Sequence, residues 1–303
     1  MAANPEMIFE TIEFTLNGKS IEALAGESII QAAERTGTEI PRLCYTEGMR
    51  ADGNCRACVV EIDGERALAP SCCRNPTPGM VVNSNNDRAQ KSQKMVLELL
   101  MSDQPEQSYT LDNELAQWAK KMDIGKPRFK ARHQPKADLS HSAIAVNLDA
   151  CIQCTRCVRA CRETQVNDVI GFAKRGHHAE IVFDIGDAMG DSSCVACGEC
   201  VAACPTGALS NATGAHQIEA DRKVDSVCPY CGVGCLLTYH VKNDKIVRVE
   251  GRDGPANFSR LCVKGRYGFD YVNHKQRLLK PLIRREGIPK GINEHFDPSD
   301  PSK

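Results

Sequence analysis

Two stretches of this sequence, CIQCTRCVRAC from Cys151 and CVACGECVAAC from Cys194, each carry four cysteines separated by two, two and three residues, and Pro205 follows the second. Cysteine at this density implies one of two chemistries: thiolates are soft donors for iron or zinc, and thiol pairs in an oxidising compartment close into disulfides. Two further groups raise the same question. Cys44, Cys55, Cys58 and Cys72 are separated by ten, two and thirteen residues, with Cys73 beside the last. Cys228, Cys231 and Cys235 are separated by two and three, and Cys262 follows with 26 residues between. Lys264 stands two places after Cys262. These groups account for all 17 cysteines of the 303 residues.

Compartment decides between the two chemistries. The start, MAANPEMIFETIEF, has no basic segment followed by an apolar core, so no signal peptide is expected. No twin-arginine signal is visible, and no apolar run approaches the ~18 residues of a membrane span. A cytoplasmic location is expected, where the cysteines read as metal ligands. The net charge of −1 argues against a general nucleic-acid binder. One basic stretch, GKPRFKARHQPK (Gly125–Lys136), is broken by proline and reads as a solvated linker.

The elements around the cysteines predict a modular α+β protein. IEFTLNGKSIEAL alternates around Asn-Gly and predicts a hairpin. ESIIQAAERTG has helical spacing and a glycine stop, and CVVEIDGERALAP predicts two short strands around Asp63-Gly64. RAQKSQKMVLELLM predicts a helix, and the polar, cysteine-free stretch that follows reads as connector with one helix. LLTYHVKNDKIVRVEG predicts a second hairpin. The expected domains are 8–95, 96–140 (helix and connector), 141–222 with its internal cysteine repeat, 223–275, and a last segment, 276–303, rich in proline and basic residues.

The first group suits a [2Fe–2S] cluster: three thiols lie in or beside one glycine-containing loop, and Gly48 and Gly53 allow it to wrap closely. The CxxC pair alone would also suit zinc. The long first gap resembles the N-terminal [2Fe–2S] domain of the large complex I iron–sulfur subunit and of iron-only hydrogenases. That resemblance implies a β-grasp ferredoxin-like fold. It also implies Cys72 as fourth ligand rather than Cys73, because the ligand there lies seven residues before a glycine matching Gly79.

The second and third groups match the two-cluster [4Fe–4S] ferredoxin pattern, in which the fourth cysteine of each run ligates the other cluster. Cys151, Cys154, Cys157 and Cys204 are expected to hold one cube, and Cys194, Cys197, Cys200 and Cys161 the other. Arg162 departs from the proline that often follows. The insert VIGFAKRGHHAEIVF resembles the same relatives, and its His177 and His178 read as a polar turn rather than a metal site.

VCPYCGVGC with LCVKGRYGFDYVN resembles the N-terminal [4Fe–4S] motif of the molybdenum or tungsten bis-pterin oxidoreductases, above all the formate dehydrogenase branch. The resemblance implies a cube on Cys228, Cys231, Cys235 and Cys262. It implies that Lys264 lies between that cube and a pterin of a Mo/W bis-pterin guanine dinucleotide, on the electron path. Complex I and many NAD-linked formate dehydrogenases carry a further cube on a histidine and three cysteines after the [2Fe–2S] domain. The matching LLMSDQPEQSYTLDNELAQW has neither residue type, so one [2Fe–2S] and three [4Fe–4S] clusters are expected.

The family's metal-ligating cysteine or selenocysteine comes well beyond the position of Lys264. Residues 276–303 are therefore expected to begin a catalytic domain, in the same or a separate chain, and no residue here is expected to bind formate. The implied role is the iron–sulfur part of an NAD-linked formate dehydrogenase alpha subunit, with a flavin/NAD-binding beta subunit and a small [2Fe–2S] subunit as partners. Two other readings are open: a stand-alone electron-transfer subunit of a hydrogenase or complex I-like assembly, and a zinc-stapled adaptor.

Overall fold

A computed structural model describes residues 11–132, 135–281, 283 and 286. Residues 8–10, and within the expected 276–303 segment residues 282, 284–285 and 287–303, lie outside the described residues. The chain divides into two compact units, Met1–Val195 with Glu199–Gln217, and Ala196–Gly198 with Ile218–Lys303.

The first unit begins with the expected hairpin. Strands β1 (Thr11–Leu16) and β2 (Lys19–Leu24) pair antiparallel from Thr11↔Leu24 to Leu16↔Lys19. The two turn residues, Asn17 and Gly18, take the positive φ that a two-residue turn of this hand requires. Helix α1 (Ile29–Arg35) opens on Ser28, whose backbone N–H donates to Gln31 Oε1 at 2.9 Å. Strands β3 (Val59–Ile62), β4 (Ala69–Pro70) and β5 (Val81–Asn83) complete a sheet of order β2-β1-β5-β3-β4. Only the β1–β5 pairing is parallel. Phe14, Leu16, Ile29, Ile30, Val60 and Val82 form the core beneath α1.

Helix α2 (Asp87–Met101) starts on Asn86, whose side-chain oxygen accepts from Ala89 N at 3.0 Å. The stretch after it carries the one expected helix. Helix α3 (Glu114–Lys121) packs beside α2, and Leu97 and Leu115 are fully buried with Leu43, Cys44, Ala57, Ile152 and Cys154. The basic stretch is also used. Arg128 Nε and Nη2 donate to both carboxylate oxygens of Glu98 at 2.7 Å, and Arg132 Nη2 donates to the Cys151 carbonyl at 3.0 Å. Most of the described residues of the basic stretch are exposed, as expected of a solvated linker, and these arginines anchor it. Leu97→Ala is expected to lower the unfolding free energy by about 3 kcal/mol, read as a shifted denaturant midpoint, because it opens a cavity between two cysteine loops.

The remainder of the first unit carries the cysteine repeat. Strand β6 (Ile144–Val146) precedes helix α4 (Arg156–Arg159), which continues as a π-helical turn through Thr164. A hairpin follows, β7 (Ile170–Ala173) and β8 (Glu180–Phe183), with Gly176–His178 forming a 3-10 turn between them. Helix α5 (Glu199–Ala203) then leads to β9 (Leu209–Asn211), which pairs antiparallel with β6.

The second unit is a three-stranded antiparallel sheet, β10 (Arg222–Val227), β11 (Leu236–Lys242) and β12 (Lys245–Gly251), followed by helix α6 (Val263–Tyr267). The β11–β12 hairpin turns on Asn243 and Asp244, both at positive φ. Strand β10 is not anticipated by any pattern in the sequence. Its residues are nearly all exposed, so it lacks the alternation that marks a half-buried strand. Among the described residues no helix is long and apolar enough to cross a membrane.

Candidate metal centres

The loop between α1 and β3 carries Cys44, Cys55 and Cys58, and Cys72 follows β4. Cys44, Cys58 and Cys72 are at most 3% exposed, whereas Cys73 is exposed. The sulfurs run as a string. Cys58 Sγ lies 3.4 Å from Cys72 Sγ, and the Cys44 thiol bonds to those of both Cys72 and Cys55. Cys73 Sγ reaches Cys72 Sγ from outside at 3.6 Å. Gly48 and Gly53 both have positive φ, and a Cβ on Gly53 would lie 3.0 Å from Cys73 Sγ.

The charge state of this string follows from its hydrogen bonds. Thiols of Cys55 and Cys72 donate to Cys44 and hold its pKa well below that of a free thiol. The Cys72 sulfur, 3.4 Å from Cys58 Sγ, lowers Cys58 to about 7. Cys55 and Cys72 are pushed up in return, both chiefly by their bonds to Cys44. Four sulfurs gathered in this way are the donor set an iron–sulfur cluster takes, and its iron would offset the charge of the thiolates.

In the repeat, burial pushes the Cys151 thiol to about 11 and raises Cys154 and Cys157 further. Their remaining upward pushes come from one another and from Cys204, so these four sulfurs share one neighbourhood, with Cys200 adjoining Cys157. Cys161 is buried on the π-helical turn, and Cys200 is buried on α5. Cys194 and Cys197 precede α5, and Cys197 falls within the second unit.

Backbone geometry at the repeat suits thiolates. N–H groups of Gln153, Val169 and Leu209 donate to Cys151, Cys161 and Cys204 Sγ at 3.4, 3.4 and 3.5 Å. Gln153 and Thr155 have φ of 56° and 60°, and the equivalent places in the second run, Ala196 and Gly198, have 55° and 73°. Three of the four are not glycine, so the surrounding structure must hold them there against local strain.

In the second unit, Cys228, Cys231 and Cys235 lie on the β10–β11 loop and Cys262 caps α6. Partial burial raises the Cys235 thiol, and the sulfurs of Cys228, Cys231 and Cys262 raise it further, so these four also share a neighbourhood. Gly265 packs close to Cys228, and Lys264 is exposed. Among the described residues no three His, Cys, Asp or Glu side chains converge as the ligands of one ion do. Thiolates on separate irons of a cluster stand farther apart than those at ~2.3 Å around one zinc.

Several positioning residues carry no cysteine signature. Asn257 is 7% exposed; its Oδ1 accepts from Leu236 N at 2.9 Å, and its Nδ2 donates to the carbonyls of Leu236, Arg252 and Arg260. It thereby ties the strand after Cys235 to the loop before Cys262. Arg156 Nη1 donates to the Glu114 carboxylate at 2.8 Å and to the Leu43 carbonyl at 3.2 Å. Arg159 is also buried, between the loops of Cys44 and Cys154. The only sequence cue for the two arginines is that they interrupt a cysteine run, which does not reveal burial.

Residues 10–87 match the 2Fe-2S iron-sulfur cluster binding domain, 150–208 the 4Fe-4S dicluster domain, and 221–274 the molybdopterin oxidoreductase Fe4S4 domain. These matches and the thiol groups define a succession of iron–sulfur cluster domains. Among curated proteins, the chain is 33% identical over 287 residues to an NADH-quinone oxidoreductase subunit of Rhizobium meliloti, covering 91% of this chain and 33% of that one. It is 26% identical over 328 residues to a Staphylococcus haemolyticus protein provisionally named a formate dehydrogenase, covering 92% of this chain and 33% of that one. The chain thus spans about a third of the length of these relatives. Among solved structures, a chain of an NAD+-reducing [NiFe]-hydrogenase in the H2-reduced state matches with a TM-score of 0.62 at 27% identity, covering 66% of this chain and 87% of that chain.

Proposed function

We propose that this chain is the iron–sulfur relay of a cytoplasmic, NAD-linked, molybdenum- or tungsten-dependent formate dehydrogenase alpha subunit. When bound, one [2Fe–2S] and three [4Fe–4S] clusters supply one-electron transfer, between a bis-pterin site that oxidises formate and a flavin/NAD partner subunit. Cys44, Cys55, Cys58 and Cys72 ligate the [2Fe–2S] cluster. Cys151, Cys154, Cys157 and Cys204 ligate one cube, Cys194, Cys197, Cys200 and Cys161 a second, and Cys228, Cys231, Cys235 and Cys262 a third. The chain's own contribution is to bury these thiols and aim backbone N–H groups at the sulfurs, which stabilises thiolate and tunes potential. Lys264, exposed beside Cys262, contacts a pterin supplied by a catalytic domain.

The match of 221–274 to the molybdopterin oxidoreductase Fe4S4 domain carries this reading. A second reading, an electron-transfer subunit of a hydrogenase or complex I-like assembly, draws on the likeness to the hydrogenase chain and to the Rhizobium NADH-quinone oxidoreductase. The two separate on one experiment: the complete enzyme is mixed with formate and cluster reduction is followed optically. Reduction by formate supports the first reading, and reduction by NADH or hydrogen but not by formate overturns it. Reconstituted chain is expected to hold about 14 iron atoms, two for the [2Fe–2S] cluster and four for each cube. Saturation near 18 iron would demand a further cluster, and zinc in place of iron would sink the relay.

A further inference from the structure

The [2Fe–2S] loop and the first ferredoxin run are joined by two buried cations, Arg156 through the Leu43 carbonyl and Arg159 through that of Cys44. Arg159, 2% exposed, sits on the helix between Cys157 and Cys161. Its Nη2 donates to the Cys44 carbonyl at 2.5 Å and to the Cys154 carbonyl at 3.2 Å. Its Nη1 donates to the Arg50 carbonyl, in the same loop as Cys44. A single guanidinium nitrogen therefore bonds the backbones of two cysteines assigned to different clusters.

Its charge is incompletely compensated. The neighbouring carboxylate, Asp52, lies 3.5 Å from Arg159 Nε and also accepts from Arg50 Nη1 at 2.8 Å and Thr155 Oγ1 at 2.7 Å. Arg156, one helical turn away, differs in holding a carboxylate directly through Glu114. The guanidinium thus brings a positive charge to the backbone of both sites. A cluster gains negative charge on reduction, and a fixed cation in a low-dielectric interior favours the reduced form.

We propose that Arg159 is a shared positioning residue that raises the reduction potentials of the [2Fe–2S] cluster and the Cys151/Cys154/Cys157/Cys204 cube together. This rests on the assignment of Cys44 and Cys154 as ligands. Its bonds to both carbonyls also give the electron a route through hydrogen bonds rather than empty space. An arginine that only stapled the two loops would hold them without moving either potential.

The test is EPR-monitored redox titration of the full chain, reconstituted anaerobically, in wild type, Arg159→Gln, Arg159→Lys and Arg162→Gln. Arg162, exposed and paired with Asp168 at 2.5 Å, is the control for removing one charge nearby. Arg159→Gln is expected to lower the reduced-to-oxidised ratio of both clusters about tenfold at fixed potential, a shift of about 59 mV for a one-electron couple. Arg159→Lys and Arg162→Gln are expected to leave both midpoints near wild type. A loaded Arg159→Gln in which neither midpoint moves, or only one, overturns the proposal. If Arg159→Gln does not load, Arg159→Met decides: both midpoints lowered by about 59 mV support the charge effect, and unmoved midpoints overturn it. Cys44→Ser and Cys154→Ser are scored separately by iron content, and retention of every cluster in either variant fails the ligand assignment and the bridge with it.

Discussion

Cys72→Ser is expected to abolish the [2Fe–2S] EPR signal of the reconstituted chain and remove about two iron atoms, while Cys73→Ser keeps both. The two residues are neighbours in sequence but not in environment. Cys72 is 3% exposed, lies 3.4 Å from Cys58 Sγ and bonds to Cys44, whereas Cys73 is exposed and touches the group only through Cys72. Serine at position 72 would replace a soft thiolate with a poorly ionised hydroxyl, leaving the string broken between Cys44 and Cys58. Iron analysis and EPR of the two variants decide the matter. A surviving signal in Cys72→Ser, lost in Cys73→Ser, would move the fourth ligand by one residue.

Lys264→Ala is expected to separate assembly from turnover. Lys264 is exposed on α6, two residues after Cys262, so its removal from this chain should leave iron content and cluster spectra unchanged. In the complete enzyme, formate-driven reduction of the cubes should slow by about 10- to 100-fold, the range found when a group supporting a metal site is lost. Lys264→Arg should also be slow, because a planar fork does not replace a compact ammonium in a narrow gap. Rapid-mixing spectroscopy with formate reads the rate, and equal rates in wild type and Lys264→Ala would make the lysine a bystander.

Local chemistry is what the sequence carried well. Asn17-Gly18 and Asn243-Asp244 force their hairpins because only a few residue types tolerate positive φ in a two-residue turn. The α2 helix over Asp87–Met101 follows from its apolar spacing and the Asn86 cap. What lacks a local signal is not legible in the sequence. Strand β10 is exposed along nearly its whole length and is held by pairing to β11, a long-range partner that no window of its own residues reveals. The stretch after α2 has the composition of a linker because its few apolar residues are diluted by polar ones. Leu97 and Leu115 matter only because the fold brings Leu43 and Ile152 to them.

The candidate sites divide along the same line. By itself the sequence determined the kind of chemistry: sixteen of its seventeen cysteines fall into four spaced groups of four, and short spacings bring thiols together whatever the rest of the chain does. The tertiary structure decided what spacing leaves open. It buried Cys72 and exposed Cys73, and it brought Cys204 beside Cys151, Cys154 and Cys157. It also placed Arg159 between the Cys44 and Cys154 carbonyls. Each of these depends on burial and on contacts between residues distant in the chain. The thiol pKa values and the effect of a buried charge are set by that surrounding medium, which no local pattern of residue types specifies.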